Sequence, residues 1–402
     1  MVKNAKIVEK MQRLFMAIAL GFSPDLCYYI LVNESKLFGV IMANLFGKEM
    51  DRQQVLDHVG DMTQLAGIRP VELTNGPENR VRALCVHTGS GLEFMVLPDR
   101  CLDIFECKFQ GASLTWHSPA GAVSPVYYDP HDIGWLWSMP GGLMVTCGLT
   151  NVGPPDNDDN EELGLHGRIS NVPARDVAYG GEWEHDEYIL WISGEMREAK
   201  IFGPNLVLNR TIRCHMGEST LRIKDVVENQ GYESTPLMIL YHCNMGFPLL
   251  DDGTQLIGVI NEVEARDREA EQGLDLFDEF VSPISHFNEQ VFYIDQDTDD
   301  QGLVRVALVN RKFNMNQGLG VYLSYPKEEM PEYTEWRMLS KGTFVVGMEP
   351  GNCRPEGRSE ARRRGALQMI EPGEKRSFHL EIGVLASNHE IRAFESKMRG
   401  LV

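Results

Sequence analysis

Positive charge is scarce in this chain of 402 residues. Its 38 Lys and Arg face 58 Asp and Glu, a formal net charge of −20. Such a surface repels phosphate backbones, which argues against nucleic acid as a partner. Cysteine pairing signals are missing as well: none of the eight cysteines stands at Cys-x-x-Cys spacing. Zinc ribbons and thioredoxin motifs are therefore excluded. Several cysteines lie in apolar runs as small core residues, and a reducing cytoplasm is the expected compartment. No stretch reaches about 18 uninterrupted apolar residues, so no membrane partner is expected. There is no Gly-x-Gly-x-x-Gly after a strand, no Walker loop, no HExxH and no Gly-x-Ser-x-Gly elbow. Redox and phosphoryl-transfer chemistry lack their usual machinery.

What is present suits a globular chain. Apolar residues make up 43% and charged residues 24%, enough for a core. Thirty-eight glycines and 20 prolines provide for many turns. The first forty-five residues read as an N-terminal extension: Lys3 to Arg13 is basic and Leu14 to Phe22 is a short apolar run. No small-residue cleavage site follows, and Met42 or Met50 is an alternative start. Asp51 to Ala66 carries apolar residues at helical spacing (Val55, Leu56, Val59, Met62, Leu65) and predicts a helix. From residue 67 onward strand patterns dominate. Arg80–Thr88 and Leu92–Leu97 read as a hairpin. Strands follow at Ile104–Phe109, Tyr188–Ile192, Leu206–Cys214, Ser219–Glu228, Leu237–Cys243, Val291–Ile294, Leu303–Val309, Gly320–Tyr325, Phe344–Met348 and Ser377–Val384. Glu262 to Glu271 reads as a solvated, charge-rich loop. A dozen or so strands with almost no helix between them predict an all-β, antiparallel sandwich over residues 46–402 as one domain.

Four polar segments stand out. Leu97-Pro98-Asp99-Arg100-Cys101-Leu102-Asp103-Ile104 is either a surface turn with an Asp–Arg pair or a pocket mouth where Arg100 donates to ligand oxygens. Gly141 to Pro173 is glycine-rich and holds His166 between glycines, near Arg168 and Asn171. Glycine there permits close backbone approach, and His166 is either a loop histidine bonded to a carbonyl or a ligand contact. Leu240-Tyr241-His242-Cys243-Asn244-Met245-Gly246 ends an apolar strand, with His242 a satisfied core residue or a site residue. Val345 to Cys353 places Glu349, followed by Asn352, at the close of an apolar strand. A carboxylate entering such surroundings is paired or kept for proton transfer. These segments span about 250 residues, as a pocket on a β scaffold requires. Histidine and glutamate suit acid–base chemistry on a polar neutral ligand. Trp116, Trp135, Trp137 and Trp336 offer faces for sugar stacking or, more simply, core packing.

The runs LPDRCLDI, GGLMVTCGLTNVG, LGLHGRISNVPA, LYHCNMGFPLL, EQVFYI and VGMEPGN resemble the galactose mutarotase (aldose 1-epimerase) superfamily, and more closely its DUF4432 branch. The resemblance covers about residues 46–385. It implies a large supersandwich that interconverts the anomers of a small-molecule carbohydrate without metal or organic cofactor. It implies Glu349 as general base, His242 as general acid and His166 as a substrate contact. Glu289 stands where the superfamily has an aspartate. The superfamily's substrate arginine belongs to an Asn-Arg pair ahead of the first histidine; Arg100 or Arg168 is assigned that role here. Asn244, Asn352 and Trp336 complete the set. A non-catalytic carbohydrate-binding protein, or another sugar isomerase or lyase on the same fold, is the alternative.

Overall fold

The computed structural model describes residues 43–398 and 400. Of the expected short helical N-terminal extension, residues 1–45, positions 1–42 lie outside the described residues. Ala43–Leu45 forms a small hairpin with Lys48–Met50, and Ala43 and Leu45 are buried in the main core.

The helix predicted over 51–66 is broken. Only Arg52–Leu56 is helical, started by a capping box in which Asp51 accepts from the Gln54 N–H. A separate 3₁₀ turn, Met62–Gln64, begins where Asp61 accepts from the Thr63 N–H. Asp57 and Gly60 sit between them. Two capping aspartates and a glycine interrupt an otherwise helical apolar pattern, because each offers the backbone a non-helical alternative.

Three large antiparallel sheets carry most of the rest, beside two small pairs, Asp156–Asp158 with Glu161–Leu163 and Thr235–Pro236 with Met369–Ile370. The largest has eight strands, in the order Arg175–Glu184, Glu187–Ala199, Asn205–His215, Thr220–Asn229, Lys375–Leu385, Leu319–Pro326, Leu303–Asn310 and Gln255–Gly258. A five-stranded sheet runs from Gly67–Glu72 to Ala112–Ser113. The third has six strands: β1 (Val145–Leu149), β2 (Met238–Gly246), β3 (Ile260–Ala265), β4 (Gln290–Gln296), β5 (Glu332–Ser340) and β6 (Thr343–Gly351). Its spatial order is β3-β4-β5-β6-β2-β1. The expected all-β antiparallel sandwich is the observed architecture. Most predicted strands are present and longer than expected. Missed in the three sheets were Gly67–Glu72, Ala112–Ser113, Arg175–Glu184, Gln255–Gly258, β1, β3 and β5. The charge-rich stretch 262–271 is not simply a loop: it holds edge strand β3 and the short helix Arg268–Glu271.

Alternation along the strands assembles the core. Leu206, Leu208, Ile212 and Cys214 point inward from one strand of the eight-stranded sheet, and Leu221, Ile223 and Val227 from the next. They meet Tyr241, Cys243 and Met245 of β2, Phe292 of β4, Tyr333 of β5 and Met348 of β6 in one cluster. The six-stranded sheet therefore turns these odd positions of β2 to the core. The even positions of β2, including Leu240 and His242, face the other way. Leu240 packs there with Val145 and Cys147 of β1 in a smaller cluster with Trp135, Met139 and Cys353. That second face is where the polar segments collect.

The core face is not purely apolar. Arg210 is completely buried and uses all five of its donors. Nε and Nη2 bind Asp225 (2.9 and 2.6 Å), Nη1 binds Asp103 (2.9 Å) and the Cys101 carbonyl, and Nη2 also binds the Thr146 hydroxyl. The Tyr241 hydroxyl donates to Asp225 at 2.7 Å, and Thr146 donates to Asp103 through both N–H and Oγ1. This network ties the eight-stranded sheet to β1 and β2.

Candidate functional site

Register decides which side chains meet. Cys243 of β2 pairs with Met348 of β6, which sets His242 opposite Glu349. Thr334 of β5 pairs with Glu349 from the other side, and Trp336 pairs with Gly347. Strand alternation then turns His242, Asn244, Gly347, Glu349, Thr334 and Trp336 to the same face. Neither His242 nor Glu349 closes its strand, as the sequence suggested. Both lie inside, because β2 continues to Gly246 and β6 to Gly351.

His242 and Glu349 are 5% and 2% exposed. His242 Nε2 approaches Glu349 Oε1 at 3.1 Å, yet the pair misses hydrogen-bond alignment and Oε1 has no other partner. Gly347 makes this approach possible: a Cβ there would stand 2.3 Å from Glu349 Oε1 and 3.1 Å from His242 Cε1. Burial, aided by the nearby Glu289 charge, holds the Glu349 carboxyl well above the usual carboxylate range. Burial, and next the neighbouring His166, push the His242 imidazole down to about 3. Both shifts favour the neutral forms of the two groups, so the proton they share lies toward Glu349.

His166 meets the ring of His242 edge-on, with centroids 5.9 Å apart, and its other side lies on Trp135 at 4.9 Å. The loop holding it is bolted to β1: Gly148 N–H donates to the His166 carbonyl, and Arg168 N–H donates to the Gly148 carbonyl. Gly167 must be glycine, because φ is 71° and a Cβ would stand 2.2 Å from the Gly148 carbonyl oxygen. Gly153 N–H donates to His166 Nδ1 at 3.4 Å, which leaves the ring proton on Nε2. Burial depresses His166 to about 4, against the opposing Glu289 charge, so it is a neutral donor.

Trp336 crosses His242 at 5.4 Å. Its indole N–H donates to Glu289 Oε2 at 3.0 Å, and Arg266 Nη2 binds Glu289 Oε1 at 2.9 Å. Arg266 follows edge strand β3, in the stretch read from sequence as a solvated loop. Glu289 precedes β4 and is exposed. Thr334 was not singled out from sequence. It is buried opposite Glu349 with its hydroxyl unpartnered, and only the pairing of β5 with β6 could have revealed it.

The remaining candidates lie elsewhere or are occupied. Arg100 is 1% exposed, in a buried turn (98–102) and not a surface one, with its Nη2 buried and without a hydrogen-bond partner. Its Nη1 donates to the Val123 carbonyl at 2.7 Å, and burial lowers its pKa to about 10. The surface Asp–Arg pair of that segment is instead Asp99 with Arg82. Arg168 is exposed at the rim of the His166 loop. An Asn-Arg pair ahead of His166, Asn79-Arg80, is passed over by the assignment to Arg100 or Arg168; Arg80 is exposed in left-handed backbone (φ 67°). Asn352 is not free to bind a ligand. Its Oδ1 accepts from Ile239 N–H at 2.7 Å and its Nδ2 donates to the Leu237 carbonyl, clamping β2 to the end of β6. Asn244 uses both amide donors on backbone, Gly142 O (3.1 Å) and His242 O (2.9 Å). Of the other tryptophans, Trp135 is buried and donates to Ser170 Oγ, Trp116 packs against the smaller cluster, and Trp137 is 79% exposed.

The seven described cysteines are free thiols. Among the described residues, no helix is long and apolar enough to cross a membrane. Among them, too, no group of three or more His, Cys, Asp or Glu has metal-holding geometry.

Residues 78–384 match a family described as a domain of unknown function, DUF4432. No curated protein matches the chain. Among solved structures, it is similar to a candidate aldose 1-epimerase from Klebsiella pneumoniae. Identity is 23%, with 85% of this chain and 90% of that one covered at a TM-score of 0.78. A galactose mutarotase-like protein from Clostridium acetobutylicum is 13% identical over 80% and 99% of the two chains, with a TM-score of 0.53. A galactose 1-epimerase from Lactobacillus acidophilus is 10% identical over 80% and 100%, with a TM-score of 0.51. At these identities the likeness is one of fold.

Proposed function

We propose that this chain, which belongs to the DUF4432 family, is a sugar 1-epimerase that interconverts the anomers of a neutral pyranose in the cytoplasm. The observation that carries the reading is the buried Glu349 carboxyl set opposite His242 across β2 and β6, close at 3.1 Å but misaligned. A carboxylic acid and an imidazole that are buried together and not satisfied by each other await a third group.

The chemistry follows from the one shared proton. A sugar entering the site brings hydroxyls that stabilise charge, and the proton passes from Glu349 to His242 Nε2. Glu349, now a carboxylate, takes the proton of the anomeric hydroxyl. His242 gives its proton to the ring oxygen, and the bond between C1 and that oxygen breaks. Rotation about C1–C2 and reclosure, with the roles reversed, give the other anomer. Each positioned acid or base contributes on the order of 10²–10⁴-fold. His166, a neutral Nε2–H donor, and Glu289 hold hydroxyls, Trp336 covers the ring, and Arg168 stands at the rim. No step calls for a cofactor. The net charge of −20 favours a neutral sugar over a sugar phosphate.

The test is anomer exchange by NMR across a panel of pyranoses. Glu349→Gln should abolish acceleration while the fold survives. Unchanged exchange in that variant removes Glu349 from the mechanism. Sugar binding without exchange in the unaltered protein overturns the enzyme reading in favour of a carbohydrate-binding protein.

A further inference from the structure

We propose that Asn244 is a positioning residue that accepts the Nδ1–H of His242 and so fixes the tautomer in which Nε2 presents a lone pair to Glu349. The proposal rests on the acid–base reading of His242 and Glu349.

Three observations carry it. First, the amide of Asn244 can be oriented in one way only. Both of its N–H bonds end on backbone carbonyls, Gly142 O at 3.1 Å and His242 O at 2.9 Å, so Oδ1 must point elsewhere. Second, Oδ1 and His242 Nδ1 are both buried and neither has an aligned partner. A buried acceptor and a buried ring nitrogen left over on one strand face cost free energy unless they serve each other. Third, the ring's placement turns these atoms together. His242 and Asn244 are two residues apart on the same face of β2. The ring's Cε1 lies over Gly347, the cross-strand neighbour of Asn244, while Nε2 lies against Glu349. Nδ1, the other nitrogen bonded to Cε1, is thereby on the Asn244 side. Catalytic hydrogen bonds are commonly loose in an empty site and tighten on the reacting complex.

The consequence is an asymmetry between the two site histidines. His166 takes an N–H on Nδ1 and therefore carries its proton on Nε2. His242, with an acceptor at Nδ1, carries its proton there. One is thus a hydrogen-bond donor toward the sugar, and the other is a proton acceptor facing the Glu349 carboxyl. Once His242 takes the proton from Glu349, the same Asn244 oxygen stabilises the imidazolium.

The experiment reads imidazole ¹⁵N shifts of the empty protein at neutral pH, with His242 assigned by its loss in His242→Asn. The expected spectrum has Nδ1 protonated and Nε2 unprotonated at His242. Asn244→Leu removes the acceptor and should move His242 toward the Nε2–H form. Asn244→Asp, which loses the same amide donors but keeps an acceptor, should restore Nδ1–H. A wild-type His242 protonated at Nε2, or an Asn244→Leu spectrum identical to wild type, overturns the proposal. If Asn244→Leu does not fold, the wild-type tautomer alone decides. With an active enzyme, Asn244→Leu should lower kcat by about 10- to 100-fold, the range seen when partners that orient metal-bound histidines are removed, and Asn244→Asp should recover part of it. Because the spectrum is recorded without sugar, an Nδ1–H tautomer in a protein that exchanges no anomers would sink the proposed function and leave the role of Asn244 standing.

Discussion

Two buried arrangements of ionisable side chains lie back to back on the six-stranded sheet, and they differ in how fully they are satisfied. On the core face, Arg210 spends all five donors on Asp103, Asp225, Thr146 and a carbonyl, and Tyr241 fills a further Asp225 lone pair. On the other face, one residue along β2, His242 meets Glu349 at hydrogen-bond distance but off alignment, and the Thr334 hydroxyl and His242 Nδ1 have no aligned partner. Completed pairing makes a clamp between sheets. Incomplete pairing leaves free energy of interaction for a substrate to supply. A third group sharpens the contrast. Glu335, on the core face of β5, has neither oxygen hydrogen-bonded; its nearest cation is Arg337 at 3.9 Å. Burial pushes its carboxyl up to about 8, against the pull of Arg337. It is unsatisfied like the site but lies on the core face, so it is a latent weakness of the core.

The contrast can be broken most forcefully at the clamp. Arg210→Leu leaves Asp103 and Asp225 buried without their cation and should destabilise the protein by about 3–5 kcal/mol. The midpoint of urea unfolding measures this, and an unchanged midpoint would mean that the network is ornamental. Glu335 comes next. Its folded pKa is raised above the unfolded value, so its contribution is fully present below about pH 4.5 and is lost as pH rises through about 8. Between pH 5 and 8 the wild type should lose thermal stability that Glu335→Gln retains, by a few degrees in Tm. Parallel melting curves for the two proteins would contradict the assignment. Gly347→Ala presses a methyl against Glu349 and His242. It should cut anomer exchange by about tenfold or more, while stability changes by about 1–3 kcal/mol. Activity retained in full would show that the pair has more room than the geometry gives it. The smallest expected effect on stability is that of Glu349→Gln. It removes no completed bond, so below about pH 4, where the carboxyl is protonated folded or unfolded, its unfolding midpoint should stay within about 0.5 kcal/mol of wild type, while exchange at neutral pH is lost. A large destabilisation would place Glu349 with the clamp and erase the distinction between the faces.

Much of this arrangement was written locally. Period-two alternation in Leu206–Cys214, Ser219–Glu228 and Ser377–Val384 was enough to predict sheet, and the scarcity of helical pattern pointed to a sandwich. His166, His242 and Glu349 were recognisable because each interrupts a run of glycine or apolar residues where an ionisable group is costly. Helix 51–66 failed because periodicity counts apolar positions and overlooks the aspartates that cap two separate turns. Strand β5 was missed, and with it the contact that brings Trp336 onto His242. Its sequence, Glu332 to Ser340, mixes Thr334, Glu335 and Arg337 among apolar residues and carries no clean alternation. The surroundings of Arg100 and Asn352 were not legible for a related reason: an isolated polar residue reads the same whether it faces a ligand or clamps a carbonyl, as Arg100 Nη1 clamps Val123 and Asn352 clamps Ile239 and Leu237.

The sequence by itself determined the fold class and offered the candidate acid–base residue types, since these follow from local pattern and composition; its net charge of −20 carried only an expectation against partners rich in phosphate. Only the tertiary structure decided which residues form the site. Register between β2, β5 and β6 brings positions about a hundred residues apart to within hydrogen-bond distance, and shifting one strand by a single residue would turn Glu349 into the core and Met348 into the site.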